Sequence, residues 1–223
     1  LPLVSMVAVF RGGLLAETPE TNGITRLLAK VLLKGTTTRT AEQIADLIEA
    51  VGGGIGSDAG NNSFGVSLDV TQPDLRLGAD LLCDILLNAT LPEKAIVREK
   101  EAQLAGIRDE EERLTTVARN ILRSALFPQH PYALRGKGTP ASVAALTQGA
   151  LKAFRDRLLV ATNGVISVFG NVQPAEVQQL FDQAPAAMPA AGPGPPRPPT
   201  PPAPPQPPPP GTNPPQAPRA PAD

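Results

Sequence analysis

The side chains that most often carry catalysis are nearly absent from this chain. Its 223 residues include one histidine, His130, and one cysteine, Cys83. A single cysteine excludes an intrachain disulfide and zinc sites built from several cysteines. One histidine with scattered carboxylates is also a poor donor set for zinc. Cys83 lies beside the apolar stripe of a predicted helix with no recognisable base near it, so we interpret it as a buried structural thiol.

Three further features have the composition of a functional site. Residues 52–56 are glycine-rich, but they lack the Lys-Ser/Thr pair of a phosphate-binding loop and precede a predicted strand, which favours a turn. The glutamates at 110–112 are most simply the solvated end of a helix. Arg26 and Lys30 lie opposite an apolar helical stripe. Two alternatives stay open for them: a solvent-facing pair, or contacts to a partner or to the carboxylates of a peptide.

Composition limits the classes of function. The formal net charge is −1, and only six Phe and one Tyr are available for base stacking, so we expect no nucleic-acid partner. No apolar run approaches the ~18–20 residues that span a bilayer, so we expect no membrane span. Hydrophobic residues make up 41% of the chain, enough for a sizeable core. The length predicts one domain, or one domain with a tail.

Two periodicities predict the elements that position these side chains. Residues 3–10 are apolar and rich in β-branched side chains, which predicts a strand. One helical stripe follows at i, i+3, i+4, i+7 and i+8, formed by Ile24, Leu27, Leu28, Val31 and Leu32. Thr40 and Gln43 form a capping box for the next helix. Alternation over residues 63–70 predicts a second strand, and residues 165–169 a third.

The remaining stripes predict helices after Pro73 and Pro92, over 117–127, near 140–147 and 149–159, and after Pro174. Together these elements predict an α+β fold, a mixed sheet with helices packed on one face. Its domain covers residues 1–185. Residues 186–223 are predicted to be a disordered Pro-rich tail or linker, because 17 of the 29 residues from Pro193 to Pro221 are proline. A ligand for SH3-like or WW-like modules is the alternative.

The second predicted element carries a resemblance to a known family. Residues 22–36, Asn-Gly-Ile-Thr-Arg-Leu-Leu-Ala-Lys-Val-Leu-Leu-Lys-Gly-Thr, resemble the G-x-x-H-F-L-E-H-M-x-F-K-G-T zinc helix of the insulinase/pitrilysin peptidases. Residues 39–42 (Arg-Thr-Ala-Glu), 51–53, 130–132 (His-Pro-Tyr) and 168–172 match further family segments in the same order. The resemblance covers about residues 1–185, and it implies the α+β fold of one peptidase half.

The resemblance implies that the metal site has been lost. In the family, two histidines one helical turn apart bind zinc, and the glutamate before the second activates a zinc-bound water. The corresponding positions here are Arg26, Ala29 and Lys30, on the outward face of the helix, with Gly106 at the downstream ligand position. Arginine and protonated lysine have no lone pair for a metal. We therefore expect no catalytic residue and no cofactor in this chain, with zinc in a catalytic half or partner.

The resemblance also implies a place where a peptide could dock. In active members, the strand after the zinc helix pairs with the substrate backbone. The equivalent positions here are Gly56, Ser57, Asp58, Ala59, Gly60 and Asn61.

The chain thus resembles the non-catalytic half of a zinc metalloendopeptidase, which forms chamber wall and a peptide-docking surface. The catalytic half, in the same polypeptide or a separate subunit, and a peptide substrate are the expected partners. One alternative is a scaffold or interaction protein of the same fold, like the core subunits of respiratory complexes. The other is an active zinc protease with unconventional ligands. The start, Leu-Pro-Leu-Val-Ser-Met-Val, reads as part of a strand cut from something longer, and it leaves secretion, periplasm and cytoplasm open.

Overall fold

The computed structural model describes residues 2–182, 188 and 189. The predicted domain end near residue 185 lies outside this part, as does the Pro-rich segment 186–223 apart from residues 188 and 189. The strands are β1 (Leu3–Arg11), β2 (Gly54–Ala59), β3 (Ser63–Thr71) and β4 (Gly164–Gly170). The α-helices are α1 (Ile24–Leu32), α2 (Ala41–Ala50), α3 (Leu75–Asn88), α4 (Glu93–Glu111), α5 (Leu114–Leu126), α6 (Pro140–Ala145), α7 (Gln148–Leu158) and α8 (Pro174–Phe181). Every strand and helix predicted above is present.

The four strands form one sheet in the order β2-β3-β1-β4. The α+β class is confirmed, but the sheet is antiparallel rather than mixed, because each of the three neighbouring pairs in the described residues is antiparallel. β2 and β3 form a hairpin, and β1 lies between β3 and β4 with Met6 opposite both Leu68 and Val168. A helical connection between two strands does not fix the direction in which the second strand runs, so the sequence pattern did not exclude parallel neighbours.

The helices cover one face of this sheet, as the sequence predicts. Along β1, Val4, Met6, Ala8 and Phe10 are at most 2% exposed, whereas Leu3 on the opposite face is 59% exposed. Successive side chains of a strand point to opposite faces, so this alternation places the core between the sheet and the helices. β3 alternates in the same way, and its buried side chains point to the same face of the sheet as those of β1.

The helix α1 is central to this core. All five residues of its predicted stripe are at most 1% exposed. Burying each such side chain contributes about 1.5–3 kcal/mol to stability. α1 packs against α4, α7, β2 and β3. The position and rotation of α1 are therefore fixed by its apolar face, and the residues on its other face are held in place by that packing.

Helix ends follow the predicted signals. Thr40 and Gln43 form the capping box at the start of α2, with the Gln43 N–H donating to Thr40 Oγ1 at 3.2 Å and the Thr40 N–H donating to Gln43 Oε1 at 2.8 Å. After α2, Gly52 has φ 62°, a left-handed conformation that glycine adopts without strain. Across the described residues, no helix is both long and apolar enough to cross a bilayer.

Candidate functional site

A buried carboxylate holds the start of α1. The N-cap residue of α1 is Gly23, which has no side chain to accept the first N–H groups of the helix. Glu17 takes this role from the preceding segment. Its carboxylate accepts from Asn22 Nδ2 at 2.8 Å, from the Gly23 N–H at 2.8 Å and from the Thr25 N–H at 3.0 Å. Burial raises the pKa of Glu17, and these donors offset part of that rise.

The segment between α5 and α6 folds over the same end of α1. Asn22 Nδ2 also donates to the Arg135 carbonyl at 2.9 Å, and Ser142 Oγ donates to the Asn22 carbonyl at 2.8 Å. From α4, Gln103 Nε2 donates to the carbonyls of Gly23 at 3.0 Å and Lys137 at 2.7 Å. These bonds place Lys137 beside α1 and α4, although it is distant from both in the sequence.

Three of the four positions that the resemblance aligns with the family's metal site meet at one small pocket. Its volume is about 160 Å³. It is lined by Arg26, Lys30, Glu99, Ala102, Gln103, Gly106 and Lys137. The structure thus brings Arg26, Lys30 and Gly106 together, as the resemblance implied. Lys30 is exposed and Arg26 is half-buried.

Ala29 differs from the expectation, because it does not lie on the outward face. It is 2% exposed and does not line the pocket. α1 packs on the sheet and also on α4, so the contact extends around the helix beyond the apolar stripe. A methyl group fits this closely packed position.

The donor set of the pocket does not fit zinc. Arg26, Lys30 and Lys137 are cations without a lone pair to donate, and Gly106 has no side chain. The carboxylate of Glu99 is the lining group with the chemistry of a zinc ligand, and it is paired with Lys34 at 2.9 Å. Within residues 2–182, 188 and 189, no three His, Cys, Asp or Glu side chains are grouped so that they could hold a metal ion.

The six predicted peptide-docking residues fall into two parts. Gly56, Ser57, Asp58 and Ala59 belong to β2, an edge strand of the sheet. Gly60 and Asn61 lie in the turn that follows. Their carbonyls accept from the N–H groups of Leu14, at 3.4 Å, and Leu15, at 3.0 Å. The backbone that remains for a docked strand is therefore β2 itself.

β2 has an unpaired outer edge in the described residues. Beyond the bonds to β3, no backbone group of residues 54–59 is bonded to another described segment. At the other edge, Met188 lines a pocket with Val165 and Ile166 of β4, and the Pro189 carbonyl accepts from the Ala161 N–H at 3.1 Å. Ser57 Oγ is buried and has no hydrogen-bond partner in the described part of the chain.

The His-Pro-Tyr turn closes on the β2–β3 hairpin. His130 Nδ1 accepts from the Tyr132 N–H at 3.1 Å, and the Tyr132 hydroxyl donates to Asn62 Oδ1. Arg123 joins the two segments, because its Nε donates to the Tyr132 carbonyl at 2.9 Å and its Nη2 to Asn61 Oδ1 at 3.2 Å. His130 lies at this turn, outside the pocket lining, and its contacts there are structural.

The Arg-Thr segment after α1 is also held by a buried acid. Asp84 is 6% exposed and accepts from Thr36 Oγ1 and Thr38 Oγ1, both at 2.7 Å, Arg39 Nη1 at 2.8 Å and Asn88 Nδ2 at 2.9 Å. Burial by itself raises the pKa of Asp84, but these four donors outweigh it and lower the pKa below its ordinary value.

Cys83 is half-buried and packs against the core. Burial, with the nearby Asp80 charge, raises its pKa to about 11. A thiol with that pKa is neutral at pH 7, which fits the predicted structural role rather than a nucleophile.

Glu17, Gln103 and Lys137 are the site residues that sequence reasoning missed. A signal for Glu17 existed: the predicted helix begins after Gly23, without a capping side chain, so an acceptor had to come from elsewhere. Lys137 and Gln103 give no local signal. Their place at the pocket depends on how α4 and the segment after α5 pack around α1.

The fold and the pocket define a metallopeptidase-like α+β domain. The chain belongs to the insulinase family of peptidases (peptidase family M16), whose family model matches residues 3–138. It is 31% identical over 158 residues to an uncharacterized zinc protease of Mycobacterium leprae, covering 71% of this chain and 36% of that protein. It is 28% identical over 167 residues to the mitochondrial-processing peptidase subunit beta of Blastocladiella emersonii, covering 75% of this chain and 36% of that protein.

Solved structures have the same fold. A peptidase M16 inactive domain from Pseudomonas fluorescens superposes with a TM-score of 0.79 at 25% identity, covering 86% of this chain and 47% of that one. Pitrilysin superposes with a TM-score of 0.76 at 19% identity, covering 85% of this chain and 21% of that one. This similarity is one of fold alone. The chain therefore spans less than half the length of the relatives it matches.

Proposed function

We propose that this chain is a non-catalytic domain of an insulinase-type zinc endopeptidase. The proposal rests on the residues of helix α1. Its buried stripe is complete, and Arg26 and Lys30, which the resemblance aligns with the two metal-binding histidines, are cations that line the pocket. Selection for the fold without the ligands is expected of a domain that supports a peptidase without cleaving peptide bonds itself.

The catalytic part would come from another domain of the same polypeptide or from a separate subunit. The chain matches less than half of each relative reported above, so those proteins contain further structure beyond the part that resembles this chain. In this proposal, zinc is held by an intact His-x-x-Glu-His motif in that other part.

The uncovered face of the sheet suits the wall of a peptide chamber. Leu3 and Val9 of β1 and Val165 and Phe169 of β4 are between 40% and 66% exposed on this face. Gly65 and Ser67 of β3 alternate with the buried residues, so small side chains occupy its centre. A surface of small and apolar groups can contact many peptide sequences without requiring one.

The edge strand β2 supports peptide docking in the same proposal. An extended peptide can add to an open sheet edge through main-chain hydrogen bonds. Gly54 and Gly56 lie on the same face of β2. Because neither has a side chain, there is space beside the backbone on that face. Asp58 is exposed on that face and adds a charge that would disfavour acidic residues there.

Metal content and proteolysis test the non-catalytic assignment. The purified chain would be loaded with zinc, passed through a desalting column, and assayed for bound metal and for cleavage of a quenched-fluorescence peptide. We expect no stoichiometric zinc and no chelator-sensitive cleavage. Cleavage should appear when the chain is combined with a family member from the same organism that carries the intact motif, and should exceed the activity of that member alone. Stoichiometric zinc with chelator-sensitive cleavage by this chain alone would overturn the proposal.

A pair of peptides tests docking at β2. A fluorescein-labelled peptide of alternating Val and Thr should bind with a measurable change in anisotropy. The same peptide N-methylated at alternate residues lacks the N–H groups needed for strand pairing, so it should bind at least about tenfold more weakly. Equal binding of the two peptides would exclude strand addition.

A further inference from the structure

We infer that the pocket beside α1 binds a carboxylate, and that this carboxylate belongs to a peptide. The central feature is the cation pair, Arg26 and Lys30, which lie one helical turn apart and line the pocket. The assignment to a peptide rests on the proposed docking at β2. The preference for an anion rests on the pocket alone.

The other charges around the pocket are already compensated. Lys34 pairs with Glu99 at 2.9 Å, and Lys137 pairs with Glu110 at 3.0 Å. Lys137 Nζ also donates to the Gly106 carbonyl at 3.0 Å. For the part of the chain that the structure describes, neither member of the cation pair makes a side-chain hydrogen bond or an ion pair. Two uncompensated positive charges therefore remain at the pocket.

Two like charges four residues apart on a helix repel each other. α1 is held in place by its buried stripe, so both side chains stay on the side of the helix that lines the pocket. An anion between the two side chains would replace this repulsion with two attractions. The family's metal positions have thus changed from a site for a cation to a site for an anion.

The shape and chemistry of the pocket favour a carboxylate. Ala102 has only a methyl side chain, which leaves room for a small planar group beside the cation pair, whereas the space at Gly106 is occupied by Lys137. The guanidinium of Arg26 can donate two parallel hydrogen bonds to a carboxylate, and Lys30 adds a point charge. Gln103 does not compete, because its Nε2 already donates to the carbonyls of Gly23 and Lys137.

The position of α1 favours a peptide as the source. α1 packs directly against β2, the open edge strand. A peptide that extends along β2 would run beside α1, so its C-terminus or an acidic side chain could reach the cation pair. The net charge of −1 for the whole chain gives no support for a polyanion such as a nucleic acid.

Acetate and acetamide test the pocket independently of peptide docking. Acetate should shift the NMR resonance of the Arg26 Nε–H in a saturable way, and acetamide, its neutral counterpart, should not. The double variant Arg26→Met/Lys30→Met should bind acetate at least about tenfold more weakly. The matched control is Arg119→Met/Lys152→Met, which removes two exposed cations elsewhere and should leave acetate binding unchanged. Equal shifts with acetate and acetamide, or equal losses in both double variants, would overturn the inference.

Labelled peptides test the source of the carboxylate. A Val-Thr peptide with a free C-terminus should bind about tenfold more tightly than its amide, and the difference should disappear in Arg26→Met/Lys30→Met. An amidated peptide with one internal Glu, compared with Gln, tests a side-chain carboxylate in the same way. If acetate binds but none of these carboxylates strengthens peptide binding, the peptide assignment is wrong. If N-methylation also has no effect on binding, the proposed docking at β2 is wrong as well. If N-methylation weakens binding, docking at β2 is supported, and only the role of the pocket in peptide binding is wrong.

Discussion

Lys137 Nζ lies over the backbone of Gly106, donating to its carbonyl at 3.0 Å and sitting 3.1 Å from the place that a Cβ at residue 106 would occupy. The family resemblance aligns Gly106 with the downstream metal-ligand position. A positive charge therefore stands where a carboxylate ligand would project. On this alignment, Lys137, a residue outside the motif, occupies the space opposite α1.

This relationship predicts what is needed to rebuild zinc binding. Arg26→His alone should bind no zinc, because the other ligand positions remain wrong. The variant Arg26→His/Ala29→Glu/Lys30→His/Gly106→Glu restores the family's residue types. Adding Lys137→Met to it should raise the zinc affinity at least about tenfold, because the ammonium repels the metal. Isothermal titration with zinc measures this difference.

The control for that experiment is Lys152→Met in place of Lys137→Met. Lys152 is exposed on α7, so its removal changes the net charge equally without touching the pocket. Zinc binding by Arg26→His alone, or an equal effect of the two lysine changes, would contradict the prediction.

Asp84→Asn should destabilise the fold. The four donors around Asp84 would lose an ionised acceptor, at a cost of about 2–3 kcal/mol at pH 7. The folded-state pKa of Asp84 is lowered, so its contribution is present above its ordinary pKa of 3.8 and is lost as the pH falls through the folded-state pKa. Urea unfolding at pH 7 and near pH 3 should show a difference between wild type and variant that shrinks in acid.

Asp80→Asn provides the comparison for Asp84. Asp80 pairs with the same Arg39, through Nη2 at 2.6 Å, but its side chain is 61% exposed. Exposed ion pairs contribute little, so the change should be within about 0.5 kcal/mol. An equal loss in the two variants would show that burial does not decide the role of Asp84.

Glu17→Gln should also destabilise the fold, with the opposite dependence on pH. The amide nitrogen would face N–H donors at the start of α1, which should cost about 1–3 kcal/mol. In the wild type, burial raises the pKa of Glu17, so its carboxyl favours folding most when protonated. Its contribution declines as the pH rises from its ordinary pKa of 4.5 through the higher folded-state pKa.

Chemical denaturation between pH 4 and pH 8 measures this dependence. Glu17→Gln should lack the part of the pH dependence that Glu17 supplies, and Glu101→Gln, at an exposed position of α4, should retain it. If the free energy of unfolding changes by the same amount across this range in the wild type and in Glu17→Gln, the assignment is wrong.

Cys83 should be slow to alkylate at neutral pH. Its pKa of about 11, against an ordinary value of 9.0, implies a thiolate fraction about 100-fold lower than that of an unhindered thiol. Iodoacetamide labelling followed by mass spectrometry should show a rate that rises up to about pH 11 in the folded chain. The urea-unfolded chain should label quickly near pH 9. Rapid labelling of the folded chain at pH 7 would indicate an activated thiol instead.

The sequence alone determined the features that depend on local periodicity. The stripe of α1, the capping box of α2 and the alternation of the strands each follow from the spacing of side chains along a regular helix or strand. The prediction that Arg26, Ala29 and Lys30 occupy the family's metal positions also follows from fixed motif spacing, whereas that for Gly106 depends on a longer alignment.

Only the tertiary structure decided how distant segments meet. Lys137 lies 31 residues beyond Gly106, and Glu17 reaches α1 from outside the helix, so neither contact follows from a periodic pattern. The antiparallel sheet, the burial of Ala29 and the open edge at β2 likewise depend on how α1, α4 and the strands pack. Contacts between distant segments depend on how whole helices and strands fit together, and the residues that determine this fit are spread over the chain.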